Sequence, residues 1–212
     1  MKCITTMAVA TLTLGMISSA AAAGEDPLQT IQKKWAVCQY QSKDNDHQVY
    51  CLENLIKRNE EALQQQPNRA ELKVWLAINK ASLAGADGGL GALSLVKEAK
   101  VLLEQVIDQA PETLDGSAYT SLGSLYYQVP GWPIGFGDDD MAETMLLKAL
   151  QINPDGIDSN YFYGDFLAEE GRKDEAIQYL TKAQQAKPRP ERPLADEGRQ
   201  QEIAKKLGEL KR

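Results

Sequence analysis

The hydrophobic residues of this chain recur every three or four positions, with polar residues between them, in stretches separated by Gly, Pro and Asp. Residues at that spacing lie on one face of an α-helix, so each stretch predicts an amphipathic helix. The many Ala, Leu, Glu, Gln and Lys residues favour helices as well. The pattern therefore predicts an all-α protein, with helices at about 27–40, 46–66, 69–83, 94–109 and 194–210 and two further helix pairs between 116 and 188.

The most regular part of the chain covers residues 157–188 and predicts two short helices joined at a turn around Gly171. A proline ends this hairpin at Pro188, and another precedes it at Pro154, 34 residues earlier. A fixed period of this length indicates a structural repeat in which each helix pair stacks on the next. Small and apolar residues stand where the two helices should touch: Tyr163, Gly164, Leu167, Ala176, Leu180 and Ala183.

Less regular copies of this unit precede it in the chain. One starts near Gly116 and ends at Pro154, and another ends at Pro111. A degenerate unit occupies residues 24–67, as is common for the terminal repeat of a stack, and residues 68–188 form the repeats proper. The contact positions of the two middle copies are Trp75, Ala99, Leu103 and Val106, and then Tyr119, Leu122, Gly123, Tyr126, Ala142, Leu146 and Ala149.

Three segments depart from the repeat. Extra residues at 84–91 and 128–140 lengthen the turns inside the two middle copies. Because each glycine weakens a helix by about 1 kcal/mol relative to Ala, the glycine-rich segment at 84–91 predicts an irregular loop. Prolines and glycines also exclude a helix at 128–140, although its apolar residues predict an ordered, packed loop. Residues 189–212 predict a proline-rich connector and a last helix that covers the end of the stack with its polar face outward.

These repeats resemble the tetratricopeptide (TPR) family over about residues 46–188, most closely in the last two copies. The resemblance implies a right-handed solenoid of about three to four antiparallel helix pairs, whose concave groove holds peptides, partner proteins or small ligands. Within the family, the segments VPGWPIGFGDDD, NPDGIDSNYFYGDFL and PRPERPLADEGR look like a group of secreted bacterial TPR proteins. A looser similarity is to the TPR accessory components of tripartite substrate-transport systems.

The first 23 residues have the layout of a secretory signal peptide. Lys2 precedes an apolar run from Ile4 to Ile17, and small residues lead to a cleavage site that we predict after Ala23. The alternative is an uncleaved membrane anchor, but the run is shorter than the ~20 residues that a span needs. We therefore predict a periplasmic protein with no membrane span in the mature chain.

Two cysteines, Cys38 and Cys51, remain after the signal peptide and predict a disulfide in an oxidising compartment. A polar stretch lies midway between them, so two antiparallel helices would bring them opposite each other. A disulfide that closes such a short loop is expected to stabilise the fold by about 3 kcal/mol. A catalytic redox pair is the alternative, but the spacing is not C-x-x-C.

Composition excludes several classes of function. The net charge is −7, and −8 once Lys2 is removed, which disfavours binding to nucleic acid. The only histidine, His47, would have to serve any Ser-His or Cys-His mechanism, and one histidine beside a bridged cysteine pair does not make a metal site. The acidic run Asp138, Asp139 and Asp140 suggests either a calcium site or a helix cap, and its place before a helix favours the cap. We predict no catalytic residue, metal or cofactor.

The TPR resemblance also implies which residues line the groove, because the first helix of each pair faces it. The groove would be basic at one end and acidic at the other; the alternative is a merely solvated helix face. The implied partner-binding residues are Lys73, Lys80, Ser117, Thr120, Ser124, Tyr127, Asp158, Tyr161 and Asp165, with Leu83 and Ala168 at equivalent positions.

Two aromatic residues of the inserted loop, Trp132 and Phe136, could form a binding platform at the rim of this groove. The alternative is that each fills a space in its own repeat. The function expected from the whole sequence is a non-enzymatic periplasmic scaffold that binds a protein or peptide partner. A small-molecule-binding accessory of a transporter is the alternative, and homo-oligomers through the end helices are possible.

Overall fold

Antiparallel helix pairs stack side by side, and a last helix packs against both ends of the stack. The structure, a computed structural model, describes residues 25–212, so the predicted signal peptide at 1–23 lies outside the described residues. Every regular element in 25–212 is an α-helix, which confirms the all-α solenoid, and none of these helices is both long and apolar enough to cross a bilayer. They are α1 (Pro27–Tyr40), α2 (Asn45–Gln65), α3 (Ala70–Asp87), α4 (Gly89–Gln109), α5 (Ser117–Gln128), α6 (Asp139–Ile152), α7 (Ile157–Glu169), α8 (Lys173–Gln184) and α9 (Pro193–Leu210).

The hairpin of α7 and α8 has the form that the sequence predicts. Its turn passes through Gly171 at a φ of +72°, which residues with a side chain rarely adopt. Where the helices touch, a Cβ on Gly164 would lie 2.8 Å from Cγ of Leu180. A Cβ on Gly123 of α5 would likewise lie only 2.7 Å from Cγ of Leu146 on α6. Glycine at these contacts therefore lets the two helices of a pair pack backbone against side chain.

The junction between α3 and α4 is shorter than the sequence predicts. α3 continues through Ala84 to Asp87 and α4 begins at Gly89, so only Gly88 separates the two helices. Gly88 and Gly89 both have a φ of +66°, and these two residues reverse the chain. The predicted irregular loop at 84–91 is therefore wrong. Ala84 is buried in the core between the helices, and such packing offsets the weak helix propensity of the glycines.

The segment between α5 and α6 is a loop, as predicted. The Phe136 ring packs edge-on against Tyr126, with 5.8 Å between the ring centroids. Trp132 in the same loop is 90% exposed. Asp138 accepts a hydrogen bond from the N–H of Met141 at 3.0 Å, which confirms that the acidic run caps α6.

A disulfide joins α1 to α2, as the two cysteines predict. Cys38 and Cys51 are bonded, and their Cα atoms are 5.5 Å apart. Trp35 of α1 makes an edge-on contact with Trp75 of α3, with ring centroids 5.6 Å apart. Its indole N–H also donates to the hydroxyl of Ser82 at 2.9 Å. The N-terminal hairpin is thus cross-linked internally and anchored to the next helix pair.

The last helix joins the two ends of the stack. Ile203 and Leu207 of α9 pack in the core of the α7–α8 pair, whereas Ala195 belongs to the core of α1, α2 and α3. Gly198 lies directly against Tyr40 of α1, since a Cβ there would be 2.5 Å from the ring atoms. α9 therefore covers the last repeat, as predicted, and in addition connects it to the first.

The prediction that the polar face of α9 points outward is wrong for two of its charged residues. Asp196 and Arg199 are buried. A carboxylate oxygen of Asp196 lies 2.6 Å from a guanidinium nitrogen of Arg189, and Nε of Arg199 lies 3.0 Å from a carboxylate oxygen of Asp158. A charged group can be buried when it has such a partner, so these ion pairs turn one polar edge of α9 toward the stack.

Candidate functional site

A large cavity lies on the concave side of the stack. Its volume is about 750 Å³, and residues of α1, α2, α3, α4, α5, α7 and α9 line it. Cavities of this size commonly hold small ligands or short chain segments. Much of the wall is apolar and includes Trp35, Trp75, Ala81, Leu93, Val96 and Phe162.

Short side chains on α3 and α5 leave room for the cavity. Four residues of α5 at successive spacings of three, one and three positions line the cavity: Ser117, Thr120, Ser121 and Ser124. The hydroxyl of Ser124 donates to the backbone carbonyl of Ser121 at 2.9 Å. The cavity side of α3 carries Ala77, Ala81 and Ala84.

Charged side chains form the part of the wall where α7 meets α9 and the connector before it. Asp158 of α7 accepts hydrogen bonds from Arg189 at 2.7 Å and from Arg199 at 3.0 Å. Arg189 also pairs with Asp196, and Arg199 also pairs with Glu202, both at 2.6 Å. We refer to Arg189, Arg192, Arg199, Asp158, Asp196 and Glu202 as the arginine cluster.

Asp158 stays ionised because the arginines beside it stabilise its negative charge. Burial alone would raise the pKa of Asp158, but the positive charges of Arg199 and Arg189 outweigh it and hold that pKa below its usual range. The guanidinium of Arg199 also lies over the ring of Tyr161, 4.3 Å from its centroid. Burial raises the pKa of Tyr161 to about 12, so its phenol stays protonated at neutral pH.

Five of the residues implied by the TPR resemblance line this cavity: Ser117, Thr120, Ser124, Asp158 and Tyr161. They come from α5 and α7, the first helices of their pairs, so the family pattern places these side chains on the correct face. Their contribution to binding stays a prediction.

The two lysines predicted for the groove lie elsewhere. Lys80 is 8% exposed and sits between Glu60 of α2 at 3.1 Å and Glu98 of α4 at 2.8 Å. Lys73 of the same helix does not line the cavity either. The prediction of a basic end on α3 is therefore wrong, because the two acidic side chains hold Lys80 between the helices and alanines face the cavity. The positive charge at the cavity comes from the C-terminal segment.

Tyr127 and Asp165 connect helices and do not line the cavity as predicted. The hydroxyl of Tyr127 on α5 donates to Asp165 on α7 at 2.8 Å. Asp165 also forms an ion pair with Lys206 of α9 at 2.7 Å. Burial and the charge of Asp165 raise the pKa of Tyr127 well above its ordinary value. These contacts therefore link α5 to α7 and α7 to α9.

The aromatic residues of the inserted loop do not form a shared platform. Phe136 packs inward on its own repeat, where the ammonium group of Lys100 also lies 5.8 Å from the ring centroid. Trp132 points to solvent. Pro130 and Ile134 of the same loop line the cavity, so Trp132 stands near its rim.

Sequence reasoning missed the arginines of the cluster. Arg189, Arg192 and Arg199 all follow the last repeat, and the family pattern assigns no groove residues there. A signal was nonetheless present, since Ala195 and Gly198 are small residues three apart in an otherwise charged helix. That spacing puts them on one face and indicates close packing of the helix against another element.

The single histidine is not part of the cavity wall. His47 is exposed at the start of α2, where its N–H donates to Asp44 at 2.9 Å, and it does not line the cavity. Within residues 25–212, no group of three or more His, Cys, Asp or Glu side chains is arranged to hold a metal ion.

Comparison with known proteins supports the repeat architecture. The family model of the tetratricopeptide repeat matches residues 157–190. The thermophilic TPR protein TTC0263 of Thermus thermophilus has a similar structure, with a TM-score of 0.58 and 21% identity over 85% of this chain and 83% of that chain. MamA (AMB-1) aligns at 22% identity over 86% of this chain and 91% of that chain, with a TM-score of 0.39. No curated protein matches the sequence significantly.

The matched segment contains the α7–α8 hairpin, and consecutive helices are also paired before it, α3 with α4 and α5 with α6. The likeness to the Thermus protein extends the fold over most of the chain. Residues 157–190 therefore form a tetratricopeptide repeat, and the described residues have the fold of a tetratricopeptide-repeat solenoid.

Proposed function

We propose that this chain is a non-enzymatic binding protein of the periplasm that holds a segment of a partner protein in its concave cavity. The observation that carries the proposal is the cavity itself, which the first helices of successive pairs line with short side chains. Solenoids of stacked repeats commonly use such concave surfaces for binding.

The dimensions of the cavity favour a short segment over a whole helix or domain. A volume of about 750 Å³ admits a few residues. Hydroxyl groups on α5 and the charged arginine cluster offer polar contacts, and the aromatic wall offers apolar area. A partner that emerges from the cavity would meet Trp132 at the rim, whose exposed ring provides a large contact surface at low cost in conformational entropy.

A cavity-filling substitution tests this proposal. Ser121→Trp places a large side chain on the cavity face of α5, and we expect it to abolish co-purification of the partner from periplasmic extract. Trp132→Ala should weaken capture without abolishing it. Recovered proteins are identified and quantified by mass spectrometry.

The matched control is Lys148→Trp, which adds the same side chain at an exposed position of α6 outside the cavity. It should recover the partner as the wild type does. If Ser121→Trp and Lys148→Trp recover the same proteins in the same amounts, the cavity is not the binding site.

A small-molecule-binding accessory of a substrate-transport system is the second candidate. It is favoured by one observation, the contact of α9 with α1, which connects the two ends of the stack beside the cavity. A cavity bordered in this way, with a volume in the range of small-ligand sites, suits a compact ligand.

The periplasmic location is supported by the sequence of the first 23 residues and by the disulfide, which persists in oxidising compartments. We expect the protein in the periplasmic fraction, with Gly24 as its first residue by N-terminal sequencing. A protein that stays in the cytoplasm and keeps Met1 would contradict this part of the proposal.

A further inference from the structure

We propose that Arg192 binds the carboxylate of an organic anion whose apolar part fills the concave cavity. This inference rests on the proposed function, since it names the chemistry of the ligand that the cavity holds. Three features of the cavity wall carry it: the unused hydrogen-bonding capacity of the Arg192 side chain, the pairing of the two neighbouring arginines, and the apolar surface beside them.

Arg192 lines the cavity at the start of α9, and its side chain is stacked on an aromatic ring. Its guanidinium carbon lies 4.9 Å from the ring centroid of Trp75. Its Nε is buried and has no hydrogen-bond partner among residues 25–212, and the same holds for the indole Nε1 of Trp75. Buried N–H donors are nearly always satisfied in folded proteins. Both nitrogens are enclosed, so their hydrogen-bonding capacity stays unused within residues 25–212 and becomes available to an acceptor in the cavity when the Arg192 side chain shifts.

Arg192 differs from the neighbouring Arg189 and Arg199 in having no ion-pair partner among residues 25–212. Within the described part of the chain, the ion pairs of the arginine cluster go to Arg189 and Arg199, each of which has two carboxylate partners. Despite their burial, these carboxylates raise the pKa values of Arg189 and Arg199. Burial and the charge of Arg189 instead lower the pKa of Arg192. The three carboxylates balance the three arginines in sum, but an anion at Arg192 would not have to break an existing ion pair.

The start of α9 adds to the same preference. The helix begins at Pro193, and within residues 25–212 its N-cap residue makes no side-chain capping hydrogen bond, although Asp196 places one carboxylate in the first turn. The free N–H groups and the dipole at a helix N-terminus favour a negative charge nearby. Ala195 of this first turn also lines the cavity, so this end of the helix faces the site.

A single carboxylate on an apolar body fits these surroundings best. The planar fork of an arginine forms two parallel hydrogen bonds with a carboxylate. Because the cluster is already balanced in sum, a single negative charge is easier to accommodate beside Arg192 than the two charges of a phosphate dianion. Trp35, Trp75 and Phe162 provide an apolar wall for the rest of the ligand. The carboxylate can belong to a free organic acid or to the C-terminus of a peptide, which present the same group.

Isothermal titration calorimetry on the mature protein tests the inference with two matched pairs of probes. One pair is phenylacetate and phenylacetamide, and the other is acetyl-Ala-Leu-Phe with a free and with an amidated C-terminus. For at least one pair, we expect the acid to bind the wild type about tenfold or more tightly than the amide, because a charge-assisted hydrogen bond contributes that much. Arg192→Gln should remove this difference. Arg192→Lys should keep part of it, since an ammonium group retains the charge but not the fork.

Lys73→Gln is the matched control, because it removes a cation from the helix that carries Trp75 but lies outside the cavity. Its affinity for the acids should equal that of the wild type. Arg192→Gln should melt close to the wild-type temperature, since the ion pairs of the cluster within residues 25–212 are held by the other two arginines. A large drop would show that its role is structural and would overturn the inference.

The outcomes separate the two ligand sources and the two proposals. Binding of the free acid alone assigns a small-molecule ligand, and binding of the peptide acid alone assigns a protein C-terminus; both support a carboxylate site. Equal affinities for acid and amide, an unchanged acid affinity in Arg192→Gln, or no binding of either acid at millimolar concentration would overturn it. If Ser121→Trp loses the partner while Arg192→Gln still captures it, the proposed function stands and a carboxylate of the partner protein is rejected as the group that Arg192 binds.

Discussion

Replacing Asp158 with Asn is expected to lower the free energy of unfolding by about 3 kcal/mol. The carboxylate of Asp158 lies 2.7 Å from Arg189 and 3.0 Å from Arg199, and Arg199 is almost fully enclosed. The amide would leave both guanidinium groups without their shared anion. Removing one partner of a buried ion pair is costly because the remaining charge stays desolvated. Urea unfolding followed by far-ultraviolet circular dichroism measures the change.

Asp155→Asn is the matched control for this variant. Asp155 lies three residues earlier and pairs with Lys182 at 3.2 Å, but its side chain is 87% exposed. Exposed ion pairs contribute less than about 1 kcal/mol, so this variant should unfold nearly as the wild type does. If the two variants had the same unfolding midpoint, the arginine cluster would not be what holds α9 and α7 together.

The contribution of Asp158 should also depend on pH. Although burial opposes it, the charges of Arg199 and Arg189 keep the pKa of the folded-state carboxyl below the value of about 3.9 expected in the unfolded chain. A pKa that is lower in the folded state stabilises the protein above the unfolded-state value, and this stabilisation is lost as the pH falls below it. The difference between wild type and Asp158→Asn should therefore be constant from about pH 5 to pH 8 and shrink below about pH 4.

Removing the disulfide with Cys38→Ala and Cys51→Ala is expected to cost about 3 kcal/mol of unfolding free energy. The bond closes a loop between residues 13 positions apart, and a cross-link of this kind restricts the unfolded chain. The loss should extend to the cavity wall, because Trp35 of the same helix contacts Trp75 of α3. Guanidinium chloride unfolding of the mature protein measures the effect.

Reduced wild type is the control for the disulfide prediction. It should unfold at the same midpoint as the double variant, and thiol titration of the mature protein should find no free thiol until a reductant is added. Two reactive thiols in the native protein, or equal midpoints for oxidised and reduced wild type, would contradict the prediction.

The helix pairs could be predicted because their determinants lie within one repeat. Gly171 provides the turn of the α7–α8 hairpin, and Gly164 allows its helices to touch, so a sequence of about one period is enough to specify the pair. The segment at 84–91 was mispredicted because its glycines have weak helix propensity, yet α3 and α4 both extend into it and meet at Gly88. Ala84 packs in a core that no local pattern reveals.

The candidate site was predicted only in part for a related reason. Five predicted side chains of α5 and α7 line the cavity, since the repeat pattern sets which face of the first helix is concave, but Tyr127 and Asp165 do not. Lys80 was misplaced because its two carboxylate partners come from neighbouring helices, Glu60 on α2 and Glu98 on α4. The spacing of residues along a helix predicts the face on which a side chain lies, but not which charged residues of neighbouring helices it meets.

By itself, the sequence determined the all-α class, the repeat, the cap of α6 and the cysteine pair, because each depends on residues close together in the chain. Only the tertiary structure decided where α9 goes. Its path depends on the curvature that accumulates over the whole stack, which brings Gly198 against Tyr40 and Arg192 against Trp75. Asp158 and Arg199, 41 positions apart, meet for the same reason. The cavity, and the position of Arg192 without an ion-pair partner among residues 25–212, are therefore products of the assembled solenoid and not of any one repeat.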